Sequence, residues 1–140
     1  MKSLSIGALS DLAGVKVPTI RYYEDIGLIA HAPRTASNRR TYGNEDIRRL
    51  RFIRHARDLG FEVEAIRQLL DLASDPNRPC SVADAIARRH LADIDEKIAR
   101  LSALKSEVAR MIENCSHGSI GECRVIKVLA DHGLCESERH

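Results

Sequence analysis

The sequence predicts a mainly α protein: a helix-turn-helix head with a small wing, then one long helix, then a loop and a short helix. Three observations carry that reading. Two short apolar faces flank Gly14 near the front of the 140-residue chain. A seam of apolar residues, spaced alternately by four and three, runs from Ala87 to Ile112. Three cysteines, Cys80, Cys115 and Cys123, bracket that seam.

The first face is Ile6, Leu9, Leu12 and Ala13, at helical spacing within Ser5 to Ala13. Gly14 ends it, because glycine tolerates the positive φ that a helix terminus often requires. Val17-Pro18-Thr19 starts a second helix, since a proline in the first turn gives up no intrahelical hydrogen bond. That helix runs to about Ile26 and stops at Gly27. Two short helices joined by a tight glycine-containing turn form a helix-turn-helix pattern. Residues 30–42 are polar, basic and turn-rich, and a two-stranded wing fits them best. Asn44 is expected to cap the next helix, with Glu45 and Asp46 complementing its positive end. Ile47, Leu50 and Ile53 carry it to Leu59, and Gly60 stops it. A further amphipathic helix from Glu62 to Ala73 shows Val63, Ile66, Leu69 and Leu70 on one face.

Ser74 to Pro79 reads as a linker, because neither Pro76 nor Pro79 suits a helix interior. Beyond it a helix is expected from about Ser81 to Glu113. Ala87, Leu91, Ile94, Ile98, Leu101, Val108 and Ile112 follow heptad spacing, with Lys105 in the one missing place. At about 1.5 Å per residue the rod is roughly 50 Å long. It has too little neighbouring chain to bury its seam, so a homodimer is expected. The organisation is then a head over residues 1–75 and a linker with a coiled-coil dimerisation helix over 76–114. A loop, a short helix from Arg124 to Ala130 and a tail fill 115–140.

Cys115 and Cys123 are separated by seven residues that include Gly118 and Gly121, enough slack for both sulfurs to meet one ion. Soft thiolates select soft or borderline metals. Each thiolate must come within about 2.3 Å of such an ion. Cys80 lies 35 residues before Cys115, a rod length away, so within one chain it cannot join them. In an antiparallel coiled coil the start of one helix lies beside the end of its partner, which brings Cys80 to the other subunit's loop. Free cysteines often serve as small buried apolar residues. Here, though, Cys80 follows Pro79 and the other two bracket a polar loop. His117 in the loop and Cys135 in the tail are further candidate ligands.

The charge is unevenly spread. Between Arg34 and Arg57 lie eight arginines against two acids, the footprint that phosphates attract, whereas a solvated helix face would mix its signs. Two Phe, three Tyr and no Trp leave little material for a base-stacking platform. Met1-Lys2-Ser3-Leu4 has no apolar signal segment, and no apolar run is long enough to span a bilayer. A cytoplasmic protein with no membrane partner is expected. In that reducing compartment cysteines act as ligands or reactive thiols rather than as disulfides.

Thr19-Ile20-Arg21-Tyr22-Tyr23-Glu24, then Gly27-Leu28-Ile29, then Asn38-Arg39-Arg40-Thr41-Tyr42 resembles the winged-helix head of the MerR family of transcription regulators. The resemblance continues through the later helices and the coiled coil, so it covers nearly the whole chain. It implies a winged helix-turn-helix head on double-stranded promoter DNA, a homodimer, and an indirect effect on RNA polymerase through DNA distortion. Carried onto this sequence, the expected DNA contacts are Lys16, Thr19, Arg21 and Tyr23 from the second helix. Arg34, Asn38, Arg39, Arg40 and Tyr42 would come from the wing, where guanidinium forks and a phenol grip phosphate oxygens. Adjacent helical residues point about 100° apart, and Tyr22 is expected to be the tyrosine that packs inward. Arg48, Arg49, Arg51, Arg54 and Arg57 are expected to divide between phosphates and partners such as Asp58, Glu62 and Glu64.

The metal sensors that this chain resembles place a loop with two cysteines, like Cys115 and Cys123, at the end of the coiled coil. Sensors of divalent zinc, cadmium, lead or mercury are similar to this chain in having a cysteine at the start of the dimerisation helix. The resemblance thus implies a divalent thiophilic ion on Cys80, Cys115 and Cys123. Sensors of Cu(I) or Ag(I) have serine there, but their loop resembles the seven-residue spacing seen here, so Cu(I) is the alternative ion. A loop histidine such as His117 serves a second zinc in some members of the divalent type. A thiol redox or electrophile sensor is a further alternative, although the four-cysteine cluster of the family's oxidant sensors is absent. No enzyme is expected: there is no nucleophile–base pair, no phosphate-cradling glycine loop, and no open metal site beside a general base.

Overall fold

In a computed structural model, which describes residues 3–37, 39–114 and 118–131, six α-helices follow one another along the chain. They are α1 (Ile6–Ala13), α2 (Val17–Asp25), α3 (Asn44–Asp58), α4 (Val63–Ala73), α5 (Ser81–Glu113) and α6 (Arg124–Ala130), with a 3-10 turn at Ile120–Glu122. Two compact units result, Met1–Ala83 and Asp84–His140. Among the described residues no helix is long and apolar enough to cross a membrane.

The first unit holds α1 to α4. Ser5 Oγ accepts from the Ala8 N–H at 3.1 Å, satisfying one of the donors that a helix start leaves over. Gly14 closes α1 at φ 71°, and its N–H reaches Ser10 O at 2.9 Å. Pro18 occupies the first turn of α2, as its chemistry requires. The start of α3 differs from expectation: Gly43, not Asn44, is the cap residue, and the Asp46 carboxylate accepts its N–H at 2.9 Å. The Asp46 carboxylate, three residues into the helix, carries a negative charge that meets the positive helix end, which the neutral Asn44 side chain lacks. Leu9 and Ala13 of α1, Ile20 and Tyr23 of α2, Leu28 and Ile29, Leu50 and Ile53 of α3, and Ile66 and Leu70 of α4 form one core. Burying each large aliphatic side chain there stabilises the head by about 1.5–3 kcal/mol.

The wing is smaller than two strands. Arg34 and Arg40 form one isolated antiparallel bridge, and Leu4 pairs with Tyr42 in another. Thr35 N–H donates to Arg39 O at 2.7 Å and Thr41 N–H to Pro33 O at 2.9 Å, so the hairpin exists but is too short for a ladder.

In the second unit the apolar seam of α5 is open. Leu91, Ile98, Leu101, Val108 and Ile112 are all exposed, and the one buried residue of the helix is Glu107, paired with Arg110 at 2.5 Å. Val128 is the buried residue of α6.

Candidate functional site

Four arginines line one cavity of about 530 Å³ in the head: Arg21 from α2 and Arg34, Arg39 and Arg40 from the wing. The start of α1 (Ser5 and Ile6) closes one side, and Asp25 is the single acid in the lining. Such a concentration of guanidinium groups presents planar forks whose chemistry suits phosphate oxygens. Lys16, at the start of α2, is exposed, and Thr19 is half-buried one turn on. Asn38 lies outside the described residues.

Two residues expected on DNA are buried instead. Tyr23 is 8% exposed and belongs to the core, whereas Tyr22 is 53% exposed, the reverse of the expected arrangement. The helix phase decides it: the apolar face of α2 runs through Ile20, and position 23 falls on that face while 22 falls outside. Tyr42 is 3% exposed, and its hydroxyl donates to Glu24 Oε1 at 2.5 Å, so its phenol is turned away from any phosphate. Burial, and next the hydrogen bond to Glu24, push this phenol up to about 12.

Glu24 is the residue that sequence reasoning passed over. Its carboxylate is fully buried, receives Arg40 at 3.3 Å and the Ala32 N–H at 3.4 Å, and has His31 Nδ1 at 3.9 Å. The charge of Glu24 raises the Arg40 guanidinium further above its already high pKa. The available signal was positional. An acid in the last turn of a helix opposes the helix dipole and therefore asks for a tertiary partner.

The arginines of α3 also have other work than expected. Arg49 Nε donates to Leu28 O at 2.7 Å, Arg51 to Leu12 O at 3.0 Å and Arg57 to Phe61 O at 3.0 Å. Arg67 of α4 does the same for Ile26 O at 2.8 Å. For the three α3 arginines these partners are main-chain carbonyls rather than Asp58, Glu62 or Glu64, whereas Arg67 also pairs with Glu64 at 3.5 Å. Leu12 O and Ile26 O lie at the ends of α1 and α2, where carbonyls lack intrahelical donors, and Leu28 O and Phe61 O lie in the turns just beyond α2 and α3. Arg48 pairs with Glu45 at 2.6 Å.

Cys80 is an exposed thiol immediately before α5, and Cys123 is a half-buried thiol immediately before α6. Cys115, His117 and Cys135 lie outside the described residues. Among the described residues no three His, Cys, Asp or Glu side chains gather closely enough to hold a metal ion. The two described thiols still have the chemistry of soft-metal ligands, since neither is in a disulfide.

Residues 4–73 match the family model described as MerR HTH family regulatory protein, and residues 47–111 match the one described as MerR, DNA binding. The HTH-type transcriptional regulator HmrR of Sinorhizobium medicae is 43% identical over 130 residues, spanning 93% of this chain and 88% of that protein. ZntR of Escherichia coli K12 is 37% identical over 128 residues, spanning 89% and 90%. The crystal structure of PbrR691 from Ralstonia metallidurans, in complex with lead(II), aligns with a TM-score of 0.80 at 32% identity, over 90% of this chain and 98% of that one.

Proposed function

Because the chain belongs to the MerR family of transcription regulators, we propose that it is a cytoplasmic, homodimeric activator answering a divalent thiophilic metal ion. Its relatives are regulators, and the chain is a DNA-binding regulator rather than an enzyme. The observation that carries the DNA half is the cleft that gathers Arg21, Arg34, Arg39 and Arg40. Two such heads on one dimer grip the phosphates of two half-sites, and α2 presents Lys16, Arg21 and Tyr22 to the groove. The open seam of α5 supports pairing with a second copy, and an antiparallel pairing is the one that uses all three thiols.

The residues that would hold the ion are Cys80 of one subunit with Cys115 and Cys123 of the other. When bound, the ion draws the three thiolates together and offsets their charge. The exposed position of Cys80 suits a ligand contributed to another chain. The heads then respond through the coiled coil, and the promoter is distorted rather than merely occupied, so that specificity rests on DNA deformability. The shift between the two dimer states equals the ion's differential affinity for them, and no more.

Among the similar structures, the lead(II) complex of PbrR691 lies on the divalent side. The second reading is a Cu(I) sensor, favoured by the seven-residue spacing between Cys115 and Cys123. Metal competition on the reduced, metal-free dimer separates them, with Zn(II), Cd(II), Pb(II), Hg(II) and Cu(I) offered to wild type and to Cys80→Ser. Tight divalent binding, with thiolate charge-transfer absorption that collapses in Cys80→Ser, is the expected result. Tight Cu(I) binding indifferent to Cys80 would replace the divalent reading with the copper one.

A further inference from the structure

Among the described residues only two charged side chains are buried, Glu24 and Glu107. Glu24 sits in the last turn of α2, where the negative end of the helix disfavours a carboxylate and where the helix supplies no basic residue of its own. A buried carboxylate persists only when donors from elsewhere compensate for its lost hydration. Four groups from residues 31–42 converge on it: the Tyr42 hydroxyl at 2.5 Å, Arg40 at 3.3 Å, the Ala32 N–H at 3.4 Å and His31 Nδ1 at 3.9 Å. The wing and α2 are thus tied together through one side chain. On the other side of that tie, Arg40 lines the same cavity as Arg21, Arg34 and Arg39.

We infer that Glu24 is a positioning residue for DNA recognition, fixing the wing against α2 and holding the Arg40 guanidinium in the arginine cleft. Arg40 is suited to this double use. A guanidinium carries five N–H donors in a rigid plane, so a bond to Glu24 leaves others for a phosphate. Its side chain is 32% exposed, neither buried nor waving free. A long arginine on a short hairpin otherwise loses rotamer freedom when it grips a phosphate. Prior fixing by Glu24 removes much of that loss.

The inference rests on the DNA-binding reading and deepens it, and the sign of its prediction sets it apart from simple electrostatics. Replacing Glu24 by Gln removes a negative charge from the head, which by Coulombic attraction alone tightens binding to any DNA. Loss of positioning weakens binding to the preferred sequence instead. Glu24→Gln keeps a carbonyl oxygen for Tyr42 and removes the charge partner of Arg40.

The experiment measures affinity by fluorescence anisotropy for two duplexes, one that the wild-type dimer selects from a random-sequence pool and one scrambled. Circular dichroism melts check that the variants are folded. Glu24→Gln is expected to lose roughly tenfold on the selected duplex, with scrambled DNA bound as well or better. Added to Arg40→Gln, it is expected to cause no further loss. Unchanged or tighter binding to the selected duplex would overturn the inference, as would equal losses on both duplexes or additive losses in the double variant. Should Glu24→Gln not fold, Glu24→Asp keeps the charge but withdraws it by one methylene, and the same fall in selectivity is expected. A wild-type dimer that selects no duplex at all would sink the DNA-binding reading itself.

Discussion

Two neighbouring tyrosines on α2, their ring centroids 6.0 Å apart, are divided by burial into separate tasks. Tyr23 packs among Ile20, Leu50 and the rest of the core, so truncating it opens a cavity where an aromatic ring stood. Tyr23→Ala is expected to cost about 3–5 kcal/mol of stability. Tyr22→Ala, on the exposed side, is expected to stay within about 0.5 kcal/mol of wild type while weakening DNA binding. Urea midpoints with the opposite ranking would show that the helix is rotated from its described phase. Tyr42 carries a pH dependence of definite sign. Its phenol is raised from 10.0 to about 12, by burial first and the bond to Glu24 second. In that window the folded state keeps a proton that the unfolded chain has released. The stabilisation is therefore complete below the unfolded value and is lost as pH rises through about 12. Tyr42→Phe is expected to be less stable near neutrality and to show a flatter alkaline decline in denaturant midpoint. Parallel alkaline declines in the two proteins would contradict the assignment.

At the scale of elements, the basic block of the head does two kinds of work that look identical in sequence. Arg39 lines the open cleft, while Arg49 bonds Leu28 O behind the end of α2 and has a structural partner. Arg39→Gln is expected to reduce the slope of log affinity against log salt by about one, leaving stability nearly unchanged. Arg49→Gln should do the reverse, costing about 1–3 kcal/mol with the salt slope intact. Equal salt slopes in the two variants would dissolve this division. The bounds of α5 and α6 were legible because Pro79, Gly118 and Gly121 interrupt strong apolar periodicity, and the expected spans, Ser81 to Glu113 and Arg124 to Ala130, coincide with the observed helices. The roles of the arginines were not legible. A cation that satisfies a helix-end carbonyl and one that meets a phosphate have the same side chain, and only tertiary placement tells them apart. Glu24 escaped for the same reason: its partners, Arg40 and Tyr42, are 16 and 18 residues further on. The cap at Gly43 rather than Asn44 and the wing of isolated bridges follow from local geometry that a residue pattern does not encode.

For the whole molecule, α5 leaves its seam uncovered, with Leu101 at 63% exposure, and a second copy presents the same seam in return. The spacing of the thiols supports the proposed site shared between two chains, with Cys80 from one and Cys115 and Cys123 from the other. That proposal has a complementation test. Take one chain with Cys80→Ser and another with Cys123→Ser, each in its own homodimer. If each site draws Cys80 from one subunit and Cys115 with Cys123 from the other, neither homodimer has a complete set. In the mixed dimer the intact Cys80 of the second chain meets the intact Cys115 and Cys123 of the first. One site is restored, and the other lacks two ligands. Reduced, purified heterodimer titrated with Cd(II) is therefore expected to bind one ion tightly, with thiolate charge-transfer absorption that both homodimers lack. Sites built within single chains leave the heterodimer as empty as its parents, and that result would refute the shared site. A Cu(I) sensor using two thiolates gives a third pattern. There the Cys80→Ser homodimer binds Cu(I) like wild type, because Cys115 and Cys123 remain together in each of its chains.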